Sequence, residues 1–176
     1  MFHYINARLP NMQYRQRLHD RQHPNQALSQ DDVTQHLAQC LLRYNVHAGT
    51  LAHLRSNNQL ILTHAKATLV DLLLITLSAA NKLDISLNKE VDIGTVYHGT
   101  PNVSDYTQTL QIDVMVRTIT LAQADLAAAL ISTAPDRKGV QTAAIITIAT
   151  AILRILANFG QDPGALVADA LATPSA

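Results

Sequence analysis

The sequence predicts an all-α protein, a helical bundle of two similar helical hairpins. Three observations predict it. Apolar residues make up 48% of the chain and are mostly Ala, Leu, Ile and Val, with five Tyr, two Phe and no Trp. That composition suits long helices better than a sandwich of many short strands. The apolar residues recur at spacings of three and four over long stretches, which is the signature of one helical face. The six Gly and six Pro cluster at a few junctions.

Residues 1–28 form an N-terminal polar segment. A helix over about Asn11–Arg21 is predicted, ended by His23-Pro24, because the residue before a proline is pushed out of the helical region. Arg15, Arg17 and Arg21, with His19 and Asp20 among them, read as a solvated helix face. Residues 29–98 form the first hairpin. Ser29 is the predicted N-cap, with Asp31 and Asp32 favoured in the first turn by the helix dipole. Val33, Leu37, Cys40, Leu41, Tyr44, Ala48 and Leu51 then mark one face of a helix running to about Leu54. It stops at Ser56-Asn57-Asn58.

The next helix, from Leu60 or His64 to Leu83, is the one around which the rest is organised. Leu69, Val70, Leu72, Leu73, Leu74, Ile75 and Leu77 leave no polar side to it, so it is a buried helix. Asp71 stands inside this run. A carboxylate there needs a hydrogen bond, an opposite charge or a metal to offset its desolvation. Thr68, Thr76 and Lys66 are its candidate structural partners. Ser86 is placed to cap a short helix over Leu87–Val91.

Gly99-Thr100-Pro101-Asn102 breaks the chain, and residues 104–172 form a second, more divergent hairpin packed on the first as one domain. Ser104 and Asp105 start a helix carrying Leu110, Val114, Leu121, Leu126 and Leu130 to about Ser132. Ala134-Pro135-Asp136 is a turn, with Gly139 nearby. A second apolar helix runs from about Val140 to Phe159. Gly160 suits its C-terminal cap, Asp162 the next N-cap, and Pro163 the first position of a last short helix over Ala165–Leu171.

The two halves share this order of long helix, turn, apolar helix and short capped helix. At an offset of 76, Leu83 meets Phe159, Asp84 meets Gly160 and Val91 meets Val167, and Ala80-Asn81 falls one residue from Ala157-Asn158. At 75, Leu51-Ala52 meets Leu126-Ala127. An internal tandem repeat is one expectation; two hairpins built alike by the general needs of helical hairpins is the other.

Thirteen basic and thirteen acidic residues give zero formal charge, which argues against nucleic acid held by bulk electrostatics. Cys40 is the only cysteine, so no intrachain disulfide forms. No apolar leader opens the chain. The longest apolar run, Ala143–Leu156, is broken by Thr147, Thr150 and Arg154 and falls short of the roughly 20 residues of a membrane span. A cytoplasmic protein with no membrane partner is expected.

The stretch LVDLLLITLSAANKLDISLNKEV, preceded by the helix containing HAGTLAHL, resembles the MazG-like proteins of the all-α nucleotide pyrophosphohydrolase superfamily. In that family, two helices carry a Glu-x-x-Glu pair and a Glu-x-x-Asp pair. Together they hold Mg²⁺ against a nucleoside triphosphate that water cleaves to monophosphate and pyrophosphate. Residues three apart share a helix face, so four carboxylates on facing helices surround hard cations. Carried over, the first pair falls on His47 and Thr50, within HAGT, and the second on Thr68 and Asp71, within TLVD. The resemblance thus implies a nucleotide site at His47, Thr50 and Thr68, with Asp71 as the metal ligand and Mg²⁺ as the cofactor. It also implies a homodimer, since such bundles are often completed by dimerisation. Only Asp71 keeps the family's residue type. The second half keeps almost nothing at Ala122, Asp125, Ala144 and Thr147.

One carboxylate does not replace four, so the expected function is nucleotide binding, or nucleoside triphosphate pyrophosphohydrolysis that is weak or lost. No catalytic residue is assigned. The alternative is a catalytically inactive helical scaffold or partner-binding protein that kept the fold and lost the metal site. Two further constellations have blander readings. His36, Cys40, Tyr44 and His47 share a stripe that a transition metal or a Cys-His nucleophile would use, but it has no diagnostic ligand spacing, and Cys40 lies on the apolar face, where a thiol is inert packing. Thr142, Thr147 and Thr150 read as hydroxyls bonded back to their own helix.

Overall fold

A computed structural model describes residues 2–22, 32–57, 59–91 and 105–172. These are helical, with no strand among them. The elements are α1 (Phe2–Gln22), α2 (Val33–Ser56), α3 (Leu62–Lys82), α4 (Leu87–Glu90), α5 (Asp105–Ile131), α6 (Arg137–Asn158) and α7 (Pro163–Ala172). The four long helices α2, α3, α6 and α5 close a square. Each hairpin packs α2 on α3 or α5 on α6, and across the hairpins α2 meets α5 and α3 meets α6. α1 lies outside the square, across α3, α4 and α7.

The core fills the middle of the square. α3 supplies Leu69, Leu72, Leu73 and Leu77, and α6 supplies Ile145, Ile148, Ile152, Leu153 and Leu156, all fully buried. α2 adds Leu37, Cys40, Tyr44 and Leu51, and α5 adds Ile112, Met115, Ile119 and Leu126. The α5 face is a correction. The expected inward residues Leu110, Val114 and Leu121 are 52%, 57% and 70% exposed. α5 is apolar on several sides, so its periodicity does not say which side turns inward. Leu62–Lys82, Thr107–Ile131 and Arg137–Asn158 are long and apolar enough to cross a membrane, by length and composition alone. The α6 helix therefore exceeds the run Ala143–Leu156, because it continues past the apolar residues at both ends.

The helix ends follow local chemistry. Asp32 is the N-cap of α2 and accepts from the Thr34 and Gln35 amides at 2.6 and 3.2 Å. This corrects the expectation of Ser29 as the cap, since α2 starts at Val33 and Asp32 holds the cap and not the first turn; Ser29, Asp31, His23-Pro24, Asn58, Gly99–Asn102 and Ser104 themselves lie outside the described residues. Asp162 caps α7, accepting from the Gly164 amide at 2.9 Å and the Ala165 amide at 3.3 Å, and Pro163 opens the helix. Ser86 occupies the N-cap position of α4 without a side-chain bond. Gln13 of α1 takes that role instead, with Oε1 accepting from the Leu87 amide at 3.2 Å.

α3 and α6 end alike. Leu83 N–H donates to Ala79 O at 3.1 Å, Asp84 to Asn81 O at 3.4 Å and Ile85 to Ala80 O at 2.9 Å. Phe159, Gly160 and Gln161 donate in the same pattern to Ile155, Ala157 and Leu156, at 3.2, 2.9 and 2.9 Å. This is the closing pattern that needs a left-handed residue after the helix. Asp84 has φ 58° and Gly160 φ 68°.

α1 extends well beyond the expected Asn11–Arg21 and carries Pro10 within it. Tertiary contacts hold its first half. Ile5, Leu9 and Met12 are buried along one side. Arg8 Nη1 meets Asp162 Oδ2 at 2.6 Å. Arg15, Arg17 and Arg21 are exposed, as a solvated face requires.

Candidate functional site

The antiparallel course of α2 and α3 sets His47 opposite Asp71. Each feels the other's charge. Burial lowers the His47 pKa, with Asp71 opposing and Arg43 adding to the fall. Burial raises the Asp71 carboxyl, and His47 offsets part of that rise. Asp71 is nevertheless exposed, as are Thr63, His64 and Ala67, so α3 has an outward strip and is not buried all round as expected. The pair is a weakly basic imidazole beside a weakly acidic carboxyl, open on one side. Such a pair can accept and donate hydrogen bonds to a polar ligand.

The other two expected site residues are not drawn into this pair. Thr50 is exposed, and its hydroxyl donates back to Val46 O at 3.3 Å. Thr68 is 8% exposed and belongs to the packed side of α3. In the second half, Ala122 and Ala144 are buried, while Asp125 and Thr147 are exposed. No group of three or more His, Cys, Asp or Glu stands together to hold a metal ion among the described residues.

The histidine-cysteine stripe points inward. Cys40 is fully buried, and burial pushes its thiol up to about 12. A thiol so held supplies no thiolate at neutral pH. Tyr44 donates to Thr76 Oγ1 at 3.0 Å, and Thr76 donates to Leu72 O at 2.6 Å, so the hydroxyls satisfy one another inside the hairpin. Thr150 bonds back to Ile146 O at 2.8 Å, as expected of a core hydroxyl.

A polar network joins α1, α2 and α3 that the residue pattern did not announce. Ser78 Oγ donates to Asp20 Oδ2 at 2.7 Å and lies 3.4 Å from His36 Nε2. Gln16 Nε2 donates to Asp20 Oδ1 at 2.8 Å. Burial lowers the His36 pKa to about 4; Lys82 and Arg43 add to the fall, while Asp20 and the Ser78 contact oppose it. The three residue types of a hydrolase triad are present, but in the wrong order. Serine gives its proton to the carboxylate and not to the imidazole, and Ser78 is 1% exposed. The network is a packing device. Ser78, a hydroxyl amid the apolar run of α3, is its one signal in the sequence; the partners come from two other helices.

Two hollows flank these elements. One, of about 530 Å³, is an apolar groove between α5 and α6, lined by Leu110, Val114, Ile146 and Ile155 among others. The other, of about 300 Å³, lies where the start of α2, the end of α3 and the start of α6 converge. The chain matches no family model, no curated protein and no solved structure.

Proposed function

We propose that this chain is a divergent MazG-like protein, two hairpins repeated in tandem, that binds a nucleotide and hydrolyses it weakly or not at all. The observation that carries the reading is the pairing of His47 with Asp71 across α2 and α3. These are positions where the family's two acidic pairs face each other. The closed square of four long helices supports the reading, as does the identical hydrogen-bond pattern at the ends of α3 and α6, repeated at a constant offset. At 75, the buried residues also coincide: Leu37 with Ile112, Cys40 with Met115, Tyr44 with Ile119 and Leu51 with Leu126.

The residues at the pair do not fit Mg²⁺. A hard cation asks for about six oxygen ligands, and this cleft offers one carboxylate beside an imidazole. Binding without efficient hydrolysis follows from that donor set. His47 and Asp71 would hydrogen-bond the nucleotide's polar edge.

A calorimetric titration with nucleoside triphosphates, with and without Mg²⁺, tests the proposal. Asp71→Asn should abolish the binding heat while leaving the melting temperature within about 2 °C, since an accessible surface group contributes little to stability. Folded wild-type protein that gives no heat would refute nucleotide binding. One observation favours the alternative of an inactive scaffold or partner-binding protein, namely the apolar groove between α5 and α6 beside the exposed Leu110 and Val114. A dimer in light scattering with no nucleotide heat would decide for it.

A further inference from the structure

The smaller hollow has the chemistry of an anion site. Val33 and Thr34 of α2, Lys82, Leu83 and Asp84 at the end of α3, and Arg137, Lys138 and Gln141 of α6 line it. Three cations face one carboxylate there. Lys82, Arg137, Lys138 and Asp84 take part in no ion pair among the described residues. Charges left unpaired beside a cavity attract a ligand of opposite net sign.

The start of α6 adds donors. Asp136 stands at the N-cap position but makes no side-chain cap bond. Arg137 N–H donates to Ala134 O and Val140 N–H to Asp136 O, each at 3.2 Å. The amides of Lys138 and Gly139 between them are the open donors of the turn. The start of α2 differs, because Asp32 already occupies its amides at 2.6 and 3.2 Å. An uncapped helix start carries partial positive charge and aimed N–H groups, the combination that binds phosphate.

Gln141 points independently to a ligand. It is only 7% exposed and lines the hollow, yet its amide has no hydrogen-bond partner among the described residues. That leaves the donors and the acceptor of the amide open to a ligand in the hollow. Gln141 sits one turn into α6, on the same side as Lys138. The volume of about 300 Å³ is at the small end of ligand pockets. It suits one sugar-sized group with its phosphate.

We infer that this hollow binds a small phosphate monoester, its phosphate at the start of α6 among Lys82, Arg137 and Lys138. The Gln141 amide and the Asp84 carboxylate take the hydroxyls of the esterified group. The site lies fourteen residues of α2 from His47, about 20 Å along the helix at ~1.5 Å per residue. It is thus separate from the His47–Asp71 pair, and the two readings fail separately.

Calorimetric titration of the full chain with ribose 5-phosphate, ribose and inorganic phosphate tests this. Ribose 5-phosphate should bind at least tenfold more tightly than inorganic phosphate, and ribose alone should give no heat. Arg137→Gln with Lys138→Gln should weaken binding of ribose 5-phosphate at least tenfold, and Asp71→Asn should leave it unchanged. Gln141→Leu supplies a second measurement. It should weaken binding at least fivefold while leaving the urea midpoint of the ligand-free protein unchanged or higher, which a glutamine needed for folding would not do. The inference is overturned by no ribose 5-phosphate heat from folded wild-type protein, by equal affinity for inorganic phosphate, or by full affinity in the Arg137/Lys138 variant.

Discussion

His36 makes folding sensitive to acid, and the size of the effect can be worked out. The ring is 2% exposed and its Nδ1 has no partner. Its pKa falls from 6.5 to about 4, chiefly by burial. The folded pKa is depressed, so the unfolded chain binds the proton first as pH falls. Stability from the neutral ring is complete above 6.5 and is lost progressively as pH drops toward 4. Each pKa unit corresponds to about 1.4 kcal/mol, so the protein should be about 2–3 kcal/mol less stable at pH 4.5 than at pH 7.5 through this residue alone. For a chain of this size that is a fall of about 5–10 °C in melting temperature. His36→Leu removes the titrating ring at similar volume and leaves the Ser78–Asp20 bond in place. Its stability, followed by urea denaturation from pH 7.5 to 4.5, should decline by about 2–3 kcal/mol less than that of the wild type. His47 is shifted in the same direction but is present in both proteins, so it cancels in the difference. Parallel decline of the two proteins would refute the buried neutral ring. If the leucine variant does not fold, His36→Gln gives the same comparison.

Three further perturbations test the packing. Gln13 donates to Ile85 O at 2.8 Å and accepts from the Leu87 amide at 3.2 Å, so Gln13→Leu leaves two buried backbone groups unpaired. It should cost about 2–4 kcal/mol in urea denaturation, with amide exchange in α4 accelerated first. Gly160 has φ 68° with open space where a Cβ would stand, so Gly160→Ala should cost about 1–2 kcal/mol from the backbone alone, read as a lower thermal midpoint. Tyr44→Phe should cost only about 1 kcal/mol in the same assay, since Thr76 keeps its 2.6 Å bond to Leu72 O.

The helices of this protein are legible in its sequence where their causes are local. Asp162-Pro163 starts α7, and Gly160 ends α6 through a left-handed residue that glycine adopts without strain. The features set by distant partners are not legible. α1 continues through Pro10 because Arg8 reaches Asp162 and because Ile5 and Leu9 are buried. α5 turns Ile112 and Ile119 inward and leaves Leu110 and Leu121 outside, although both sets have helical spacing. The cation-lined hollow sets Lys82 of α3 beside Arg137, Lys138 and Gln141 of α6, and no local pattern links the two helices.

The His47–Asp71 pair lies between these cases. Asp71 is conspicuous by itself, as a carboxylate in an apolar run. Its partner follows from the hairpin. Asp71 is ten residues beyond Ile61, the N-cap of α3, and His47 is ten residues before Asn57, the C-cap of α2. Two antiparallel helices of equal rise bring such positions level. Tyr44 meets Thr76 near the same register, whereas His36 meets Ser78 off it, eight residues down α2 against two up α3. A polar residue buried in one arm of a helical hairpin, as Tyr44 is, calls for a polar partner on the facing arm, because the alternative is an unpaired group in the core. The second hairpin is apolar at the positions 75 and 76 residues beyond this pair. Ile119 and Ile152 stand where Tyr44 and Thr76 do, both buried. Losing both partners of a pair together is nearly neutral, whereas losing one is costly. That asymmetry is why a bonded polar pair and an apolar pair both suit the core of a hairpin, whereas a single polar residue without its partner does not.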